Sequence, residues 1–302
     1  MPSPEHEAII ASLKSQASGH AASTIAAMRA GMAAMVGYFE GLEFPADVKQ
    51  EPVQAAGVPA FWFTPPFDPE NARAKGAILY LHGGGYVMGS VGTHRSLIGR
   101  IARASVVRCL ALDYRLAPEH PFPAAIEDAC AAYRWLIAQG IPASGIVIAG
   151  DSAGGGLTLA CLVALRDAGD RLPAAAVCLS PLADLEQTGD SSKGAIDDPM
   201  VSRDGTEVMV EAYLQGRDRR DPRASPIHAD FTGFPPLLIQ VGTREILLDD
   251  STRVAARARA AGVEVVLELG ADLTHVWQLH PHLPESTTAV ESIARFVKSR
   301  LG

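Results

Sequence analysis

Length, composition and charge argue against several classes of protein. The chain has 302 residues, 48% hydrophobic and 20% charged, so it can bury the core of one large domain or two small ones. Its formal net charge is −8 and no basic run stands out, which argues against a nucleic-acid partner. No apolar run reaches the roughly 18 residues of a membrane span, and the acidic N-terminus lacks the basic start of a secretory signal.

The first 45 residues are rich in alanine and methionine at helical spacing. Interrupting glycines predict two or three short helices rather than one long one. The methionine stripe, which includes Met28, Met32 and Met35, is explained by simple packing. In the alternative interpretation, these helices form a mobile lid whose thioethers line an apolar substrate cavity.

The next elements lead to a loop of three glycines. A strand over Val58–Thr64 precedes a turn-rich loop at 65–69, and a buried strand over Ala77–Leu81 runs into His82-Gly83-Gly84-Gly85-Tyr86. Three consecutive glycines cost backbone entropy, and a merely flexible turn hardly needs them between a histidine and a tyrosine. They leave N–H groups open to close approach, as an oxyanion hole requires.

Strands and helices alternate through the rest of the chain. We predict strands over 106–112, 145–149, 174–181, 237–241 and 264–269, and helices over 124–139, 157–165, 203–215, 251–261 and 283–300. This alternation predicts an α/β fold with a mainly parallel central sheet covered by helices on both faces. We therefore predict an N-terminal helical cap over 1–45 and a catalytic domain over 46–302. The polar, turn-rich insertion at about 184–234 contributes to the cap.

The pentapeptide Gly150-Asp151-Ser152-Ala153-Gly154 lies between a buried strand and an apolar helix. A serine at the apex of strand, sharp turn and helix is the geometry of a nucleophile elbow. Cβ atoms at the two glycines would collide across such a turn. The positive end of the helix dipole and its free N–H groups favour an anionic intermediate. Ser152 is therefore the candidate nucleophile.

A serine nucleophile needs a base, and His275 is the best candidate among nine histidines. It lies six residues (275 − 269) beyond the last predicted strand, at the carboxyl edge of the sheet. His82 is expected to brace the glycine loop by hydrogen bonding. The others are placed in the N-terminal segment, in loops without strand-end context or among prolines: His6, His20, His94, His120, His228, His280 and His282.

Three carboxylates after the strand at 237–241 compete to orient that base. Glu245 lies four residues beyond the strand end, and 30 residues before His275. Asp249 and Asp250 precede a predicted helix, where a carboxylate would more naturally serve as a cap. The order serine, acid, histidine is the one expected for this type of fold. These arguments favour Glu245 and leave the two aspartates as alternatives.

Together the motifs resemble the bacterial hormone-sensitive lipase family of α/β-hydrolases. The resemblance extends from about residue 75 to the C-terminus. Five features carry it: the glycine loop at 82–86, the segment Asp113-Tyr114-Arg115-Leu116-Ala117-Pro118-Glu119, the elbow with Gly155, the segment 242–249, and His275.

The resemblance implies a set of roles for these residues. Ser152 would be the nucleophile, His275 the base and Glu245 the acid, at a position where most members carry Asp. The oxyanion hole would use the N–H groups of Gly84, Gly85 and Ala153, with Gly83 shaping the turn, and the 113–119 segment would brace the glycine loop.

The sequence also offers candidates for the lining of the substrate pocket. Tyr86, Met32 and Met35 are its candidate lining residues, together with Trp277, where the family often has Phe. Trp277 either packs in the wall or narrows the alcohol side of the pocket.

We predict a serine carboxylesterase that acts on small, short- to medium-chain apolar esters through an acyl-enzyme, without a metal or organic cofactor. A lactone hydrolase with the same triad is the first alternative. A non-catalytic ligand-binding protein on this scaffold is the second, although such proteins typically lose the histidine that His275 supplies.

Two further expectations concern assembly and location. Family members are often dimers, so the resemblance implies a possible homodimer paired through the last strands and helices. The cysteines lack the spacing of a metal site or of disulfide pairs, and we interpret them as reduced core residues of a cytoplasmic protein: Cys109, Cys130, Cys161 and Cys178.

Overall fold

A central β-sheet organises the computed structural model, which describes residues 2–17, 24–66 and 76–301. Within these residues the strands are β1 (Lys49–Ala55), β2 (Val58–Thr64), β3 (Ala77–Leu81), β4 (Arg108–Leu112), β5 (Ile146–Asp151), β6 (Ala175–Leu179), β7 (Leu237–Gly242) and β8 (Val265–Gly270). Their order across the sheet is β1-β2-β4-β3-β5-β6-β7-β8. The first two strands are antiparallel to their neighbours, and β4-β3-β5-β6-β7-β8 run parallel.

Helices cover both faces of this sheet. They are α1 (Pro4–Ala17), α2 (Ile25–Ala34), α3 (Val36–Gly41), α4 (Val91–Ser105), α5 (Ala124–Ala138), α6 (Ala153–Asp167), α7 (Arg203–Leu214), α8 (Leu248–Ala260) and α9 (Pro284–Arg300). One apolar core lies beneath α5, α6 and α8, and a second lies beneath α4 and α9. Every residue of β3, β5, β6 and β7 is buried, as expected for parallel strands covered on both sides.

The predicted alternation is found, with bounds that differ by at most four residues. The largest shift is at α6, which begins at Ala153 rather than 157. Its glycines are helical because they allow close packing: a Cβ at Gly156 would lie 2.0 Å from the carbonyl oxygen of Leu182. Neither α4 nor β1 was predicted. β1 is a mostly exposed strand whose partner β2 gives it its conformation.

The N-terminal helices contact the loops at the carboxyl edge of the sheet. From α1, the His6 Nε2 atom lies 3.0 Å from Thr274 Oγ1. From α2, the Arg29 guanidinium donates to the carbonyl oxygens of Val87 and Ala117 at 2.7 and 2.8 Å. It also pairs with both carboxylate oxygens of Glu119 at 2.7 Å. These are contacts that a cap would make, and the predicted cap boundaries remain a prediction.

Two other sequence expectations can be located. Among the described residues, no helix is both long enough and apolar enough to cross a bilayer. All four cysteines are buried free thiols. His20 and part of the turn at 65–69 lie outside the described residues.

Candidate active site

The elbow serine lies where β5 meets α6, at the carboxyl edge of the sheet. Ser152 has φ 53° and ψ −121°, a conformation that costs a non-glycine residue about 1–3 kcal/mol. Its N–H donates to the carbonyl of Leu179 at 2.8 Å, and its carbonyl accepts from Gly156 and Leu182 at 3.0 Å. A Cβ at Gly150 would lie 2.3 Å from the carbonyl oxygen of Gly154, which is the predicted collision across the turn, whereas a Cβ at Gly154 would meet the carbonyl oxygen of Leu81 on β3 at 2.0 Å.

His275 and Glu245 form a buried pair on the same edge. The Nδ1 atom of His275 lies 2.7 Å from Glu245 Oε2, and the two side chains are 8% and 0% exposed. Burial lowers the pKa of His275, but the hydrogen bond and the charge of Glu245 outweigh it, so the net shift is upward. A proton on Nδ1 directed at the carboxylate leaves Nε2 as the basic nitrogen.

The second carboxylate oxygen of Glu245 is also held. Oε1 accepts from the N–H of Gly242 at 2.6 Å and from the hydroxyl of Ser180 at 2.8 Å. The Ser180 hydroxyl in turn accepts from the N–H of Val276 at 3.3 Å, next to His275. Sequence reasoning missed Ser180. Its signal is weak: a serine directly after β6, the strand beside β7.

Asp249 and Asp250, the alternatives to Glu245, accept hydrogen bonds from backbone N–H groups in or beside the insertion. Asp249 accepts from the N–H of Ser191 at 2.9 Å, and Asp250 accepts from the N–H groups of Ala183 and Asp184 at 2.8 and 2.9 Å. The expectation that they cap the following helix is wrong, because both lie inside the first turn of α8. They tie the start of the insertion to that helix. Burial raises the pKa of Asp250 to about 8.

The glycine loop adopts a backbone that glycine makes possible. Gly84 and Gly85 have φ of +119° and +61°. The N–H of Gly83 donates to Asp151 Oδ1 at 3.2 Å, so it is occupied. In the described part of the chain, the N–H groups of Gly84, Gly85 and Ala153 have no acceptor. The elbow and the glycine loop therefore present open donors at neighbouring strand ends.

The 113–119 segment contacts the glycine loop as expected of a brace. The Tyr114 hydroxyl donates to the carbonyl of His82 at 2.7 Å, and the N–H of Ala117 donates to the carbonyl of Tyr86 at 2.9 Å. The His82 ring stacks on Tyr114 at 4.3 Å, and its Nδ1 lies 2.7 Å from the carbonyl oxygen of Gly83.

The predicted pocket residues lie in different surroundings. Tyr86 is buried and stacks on Tyr213 of α7, with ring centres 4.0 Å apart. Trp277 is buried in a small cluster with Leu273 and Leu283, which fits the packing interpretation. Met32 is half-buried and Met35 is 41% exposed on the N-terminal helices. Their role in binding substrate remains a prediction.

One group of side chains has atoms of the metal-ligating type close together. In the described residues, Asp184, Glu186 and His228 bring ligand atoms within 4.8 Å of one another. Asp184 is already bonded to Arg253 and Thr188, and Glu186 Oε2 lies 3.0 Å from His228 Nε2. The arrangement is that of a hydrogen-bond network between the insertion and α8.

Comparison with known proteins decides the family. Residues 78–279 match the family model described as the alpha/beta hydrolase fold. A crystal structure of an esterase from the bacterial hormone-sensitive lipase family superposes over all of both chains, with a TM-score of 0.92 and 46% identity. The chain is an α/β-hydrolase of the bacterial hormone-sensitive lipase family. The hydrolase is also similar to curated bacterial relatives.

These relatives match most of the hydrolase. An acetyl-hydrolase of Streptomyces hygroscopicus is 48% identical over 234 residues, covering 76% of this chain and 78% of that protein. An esterase of Acinetobacter venetianus is 36% identical over 232 residues, covering 76% and 77%. The predictions of the α/β-hydrolase fold, of the family and of a carboxylic-ester hydrolase are confirmed.

The hydrogen bond from Ser180 to Glu245 predicts how a substitution of Ser180 changes the activity of this hydrolase. Ser180→Ala removes one of three donors to the Glu245 carboxylate, so we expect kcat to fall about 10-fold, the equivalent of a lost hydrogen bond to a charged acceptor. KM should stay within about twofold, since Ser180 has no exposed surface for substrate. Steady-state kinetics with a p-nitrophenyl ester measure both constants.

The matched control is Ser105→Ala, which removes an equally buried hydroxyl bonded to the carbonyl of Ile101 in α4. It should lower the melting temperature and leave kcat unchanged. A Ser180→Ala enzyme that loses stability but keeps wild-type kcat would contradict a role for Ser180 in positioning Glu245.

Proposed function

We propose that Ser152, His275 and Glu245 are the nucleophile, base and acid with which this enzyme hydrolyses short-chain carboxylic esters. The observation that carries the proposal is the 2.7 Å contact between His275 Nδ1 and Glu245 Oε2. It lies on the sheet edge where the strained Ser152 follows β5. A buried carboxylate holds the imidazole in one tautomer, with its other nitrogen available to the serine.

The reaction follows from these positions. His275 Nε2 accepts the Ser152 proton as Oγ attacks the ester carbonyl carbon. The tetrahedral intermediate collapses, and the C–O bond to the alcohol breaks as His275 returns the proton to the leaving oxygen. Water then attacks the acyl-enzyme by the same route, releasing the carboxylic acid and free Ser152. Glu245 keeps its charge throughout and stabilises the imidazolium.

The negative oxygen of the intermediate needs donors. The N–H groups of Gly84, Gly85 and Ala153 suit this role because they have no acceptor within the described ranges of the chain. Gly83 shapes the turn instead, since its N–H is bonded to Asp151. Ala153 N–H also lies at the start of α6, where the helix dipole favours negative charge.

Small esters are the substrate class that these features support best. The relative named an acetyl-hydrolase points to a short acyl group. We expect kcat/KM to be highest for p-nitrophenyl acetate to hexanoate and to fall for longer chains. A medium-ring lactone should react more slowly than the open-chain ester of equal carbon number. Preference for the lactone would favour the lactone hydrolase. Binding without turnover by the wild-type enzyme would favour the ligand-binding protein.

A homodimer through β8 is a further proposal. β8 ends the sheet within the described residues, and its Leu269 and Val266 side chains are 53% and 37% exposed. An apolar edge strand is a natural pairing surface. Light scattering on the wild type and on Leu269→Lys tests it: a dimer that the substitution dissociates supports the proposal, and a monomeric wild type contradicts it.

A cytoplasmic location is likewise proposed from the cysteines. Cys130 and Cys161 are buried thiols with their sulfur atoms 3.6 Å apart, and they remain unpaired. Such a pair is typical of a reducing compartment. Fractionation of the native host, with the enzyme followed by antibody, would contradict this if the protein appeared outside the cell.

A further inference from the structure

A second histidine–carboxylate pair lies behind the glycine loop. His94 on α4 and Asp151 before Ser152 are both buried, and His94 Nε2 lies 3.1 Å from Asp151 Oδ2. From the sequence we placed His94 in a loop without strand-end context. That placement is wrong, because the residue belongs to the first turn of α4, whose Ser90 cap was not recognised.

The hydrogen bonds of His94 define its protonation state. Nε2 faces the Asp151 carboxylate, while Nδ1 lies 3.1 Å from the carbonyl oxygen of Ser90 and 2.8 Å from Thr93 Oγ1. The Ser90 carbonyl can only accept, and it also accepts from the Thr93 hydroxyl at 2.8 Å, so its contact with Nδ1 requires a proton on that nitrogen. Both ring nitrogens therefore face acceptors. An imidazole satisfies two acceptors only when both nitrogens carry protons.

Asp151 is correspondingly a carboxylate. Its Oδ1 accepts from the Tyr80 hydroxyl at 2.8 Å and from the N–H of Gly83 at 3.2 Å, and Oδ2 faces His94. Burial raises the pKa of Asp151, but His94 and Tyr80 outweigh it, and the net shift is downward. Burial also lowers the pKa of His94, and here Asp151 outweighs it, so the pKa rises.

The other titratable groups around the pair do not supply the positive charge that His94 provides to Asp151. His82, from the glycine loop, has a ring centre 5.6 Å from that of His94. Burial lowers the pKa of His82 to about 4, so it is neutral near pH 7. Asp113, after β4, adds a further negative charge whose field raises the pKa of His94. The buried Tyr80 and Tyr114 hydroxyls stay neutral because burial raises their pKa values well above the usual range.

Asp151 joins both halves of the proposed oxyanion hole. Asp151 is followed in the chain by Ser152 and Ala153. Its carboxylate accepts from the N–H of Gly83, the residue before Gly84. An uncompensated carboxylate here would repel the negative oxygen of the tetrahedral intermediate. Asp151 holds the glycine loop in place through Gly83. Because the carboxylate has to stay there, its negative charge needs a positive charge buried beside it.

We propose that His94 is a positioning residue: its imidazolium neutralises Asp151 behind the glycine loop, which keeps the oxyanion hole in place and favourable to negative charge. This rests on the proposed function, because it takes Gly84, Gly85 and Ala153 as the oxyanion donors. His94 itself is buried and acts through Asp151.

The test compares His94→Gln, Asp151→Asn and the double variant, with p-nitrophenyl butyrate as substrate. His94→Gln keeps a hydrogen-bond donor and removes the positive charge. We therefore expect kcat to fall about 10- to 100-fold, which is somewhat less than the effect of removing an oxyanion donor, with KM within about threefold. Adding Asp151→Asn should restore kcat several-fold over His94→Gln alone, because the uncompensated charge is gone. A merely structural role predicts further loss instead.

The pH profile gives an independent readout. In the wild type, kcat should fall as the pH rises through the raised pKa of His94, because a neutral His94 leaves Asp151 uncompensated. This basic limb should be absent in the double variant. Nitrogen-15 NMR, with the His94 signals assigned by their absence in His94→Gln, should also show that His94 gains its second ring proton at a higher pH than a free imidazole does.

The control is His228→Gln, the same substitution in a histidine–carboxylate pair of the insertion. It should leave kcat within twofold. The proposal is overturned if His94→Gln keeps wild-type kcat, if the double variant is slower than His94→Gln, or if His94 titrates at or below the pH of a free imidazole. Activity close to that of the wild type in Ser152→Ala would instead overturn the proposed function, so the two failures are distinguishable.

Discussion

Ser152→Ala should lower kcat by about 10⁴-fold or more for every ester that the wild type hydrolyses. The alanine has no oxygen to form the acyl-enzyme, and Ser180, which lies nearby along the sheet edge, is not free to replace it because it is bonded to Glu245 and fully buried. The residual rate should come from water that attacks the ester directly, with the oxyanion donors still in place. Burst kinetics with p-nitrophenyl acetate measure the loss.

Covalent labelling separates loss of the nucleophile from loss of the fold. Phenylmethylsulfonyl fluoride should add one sulfonyl group to the wild type at Ser152 and none to the variant, as seen by intact mass and peptide mapping. The melting temperature of Ser152→Ala should equal or exceed that of the wild type, since the strain at φ 53° is not increased. Label on another serine with activity retained would remove Ser152 from its role.

Glu245→Gln should lower kcat by about 10³- to 10⁴-fold. The amide nitrogen facing His275 Nδ1 would favour the wrong tautomer, with Nε2 protonated and unable to accept the serine proton. The pH profile should move as well. The hydrogen bond and charge of Glu245 raise the pKa of His275 against burial, so the acid limb of kcat/KM in the wild type should lie at higher pH than that of an unperturbed histidine. Without that charge, burial remains and the limb should shift to lower pH.

Two further variants make this result specific. Glu245→Asp keeps the charge but is one methylene shorter, so it should retain more activity than Glu245→Gln while losing the 2.7 Å contact. Glu186→Gln changes a carboxylate that also pairs with a histidine, His228, and should leave both kcat and the pH profile unchanged. If Glu245→Gln kept its wild-type acid limb, Glu245 would not be the partner that sets the pKa of His275.

Much of the site could be predicted because its signals are contiguous in the chain. The elbow, the three glycines and a histidine soon after the last strand each combine a motif with its flanking elements. Backbone sterics then require the same local geometry, as the φ values of Ser152, Gly84 and Gly85 illustrate. The choice of Glu245 over Asp249 and Asp250 needed more than the motif. The aspartates turn toward the insertion, while Glu245 reaches His275.

The sequence by itself determined the order of the strands and helices other than β1 and α4, the elbow at Ser152 and the position of His275, since periodicity and turn residues act over a few neighbours. Only the tertiary structure decided which side chains support them. Ser180 meets Glu245 across 65 positions of sequence, and His94 meets Asp151 across 57. Such contacts depend on which strands become neighbours and on burial, which raises the energetic importance of each hydrogen bond and charge. No local pattern encodes them.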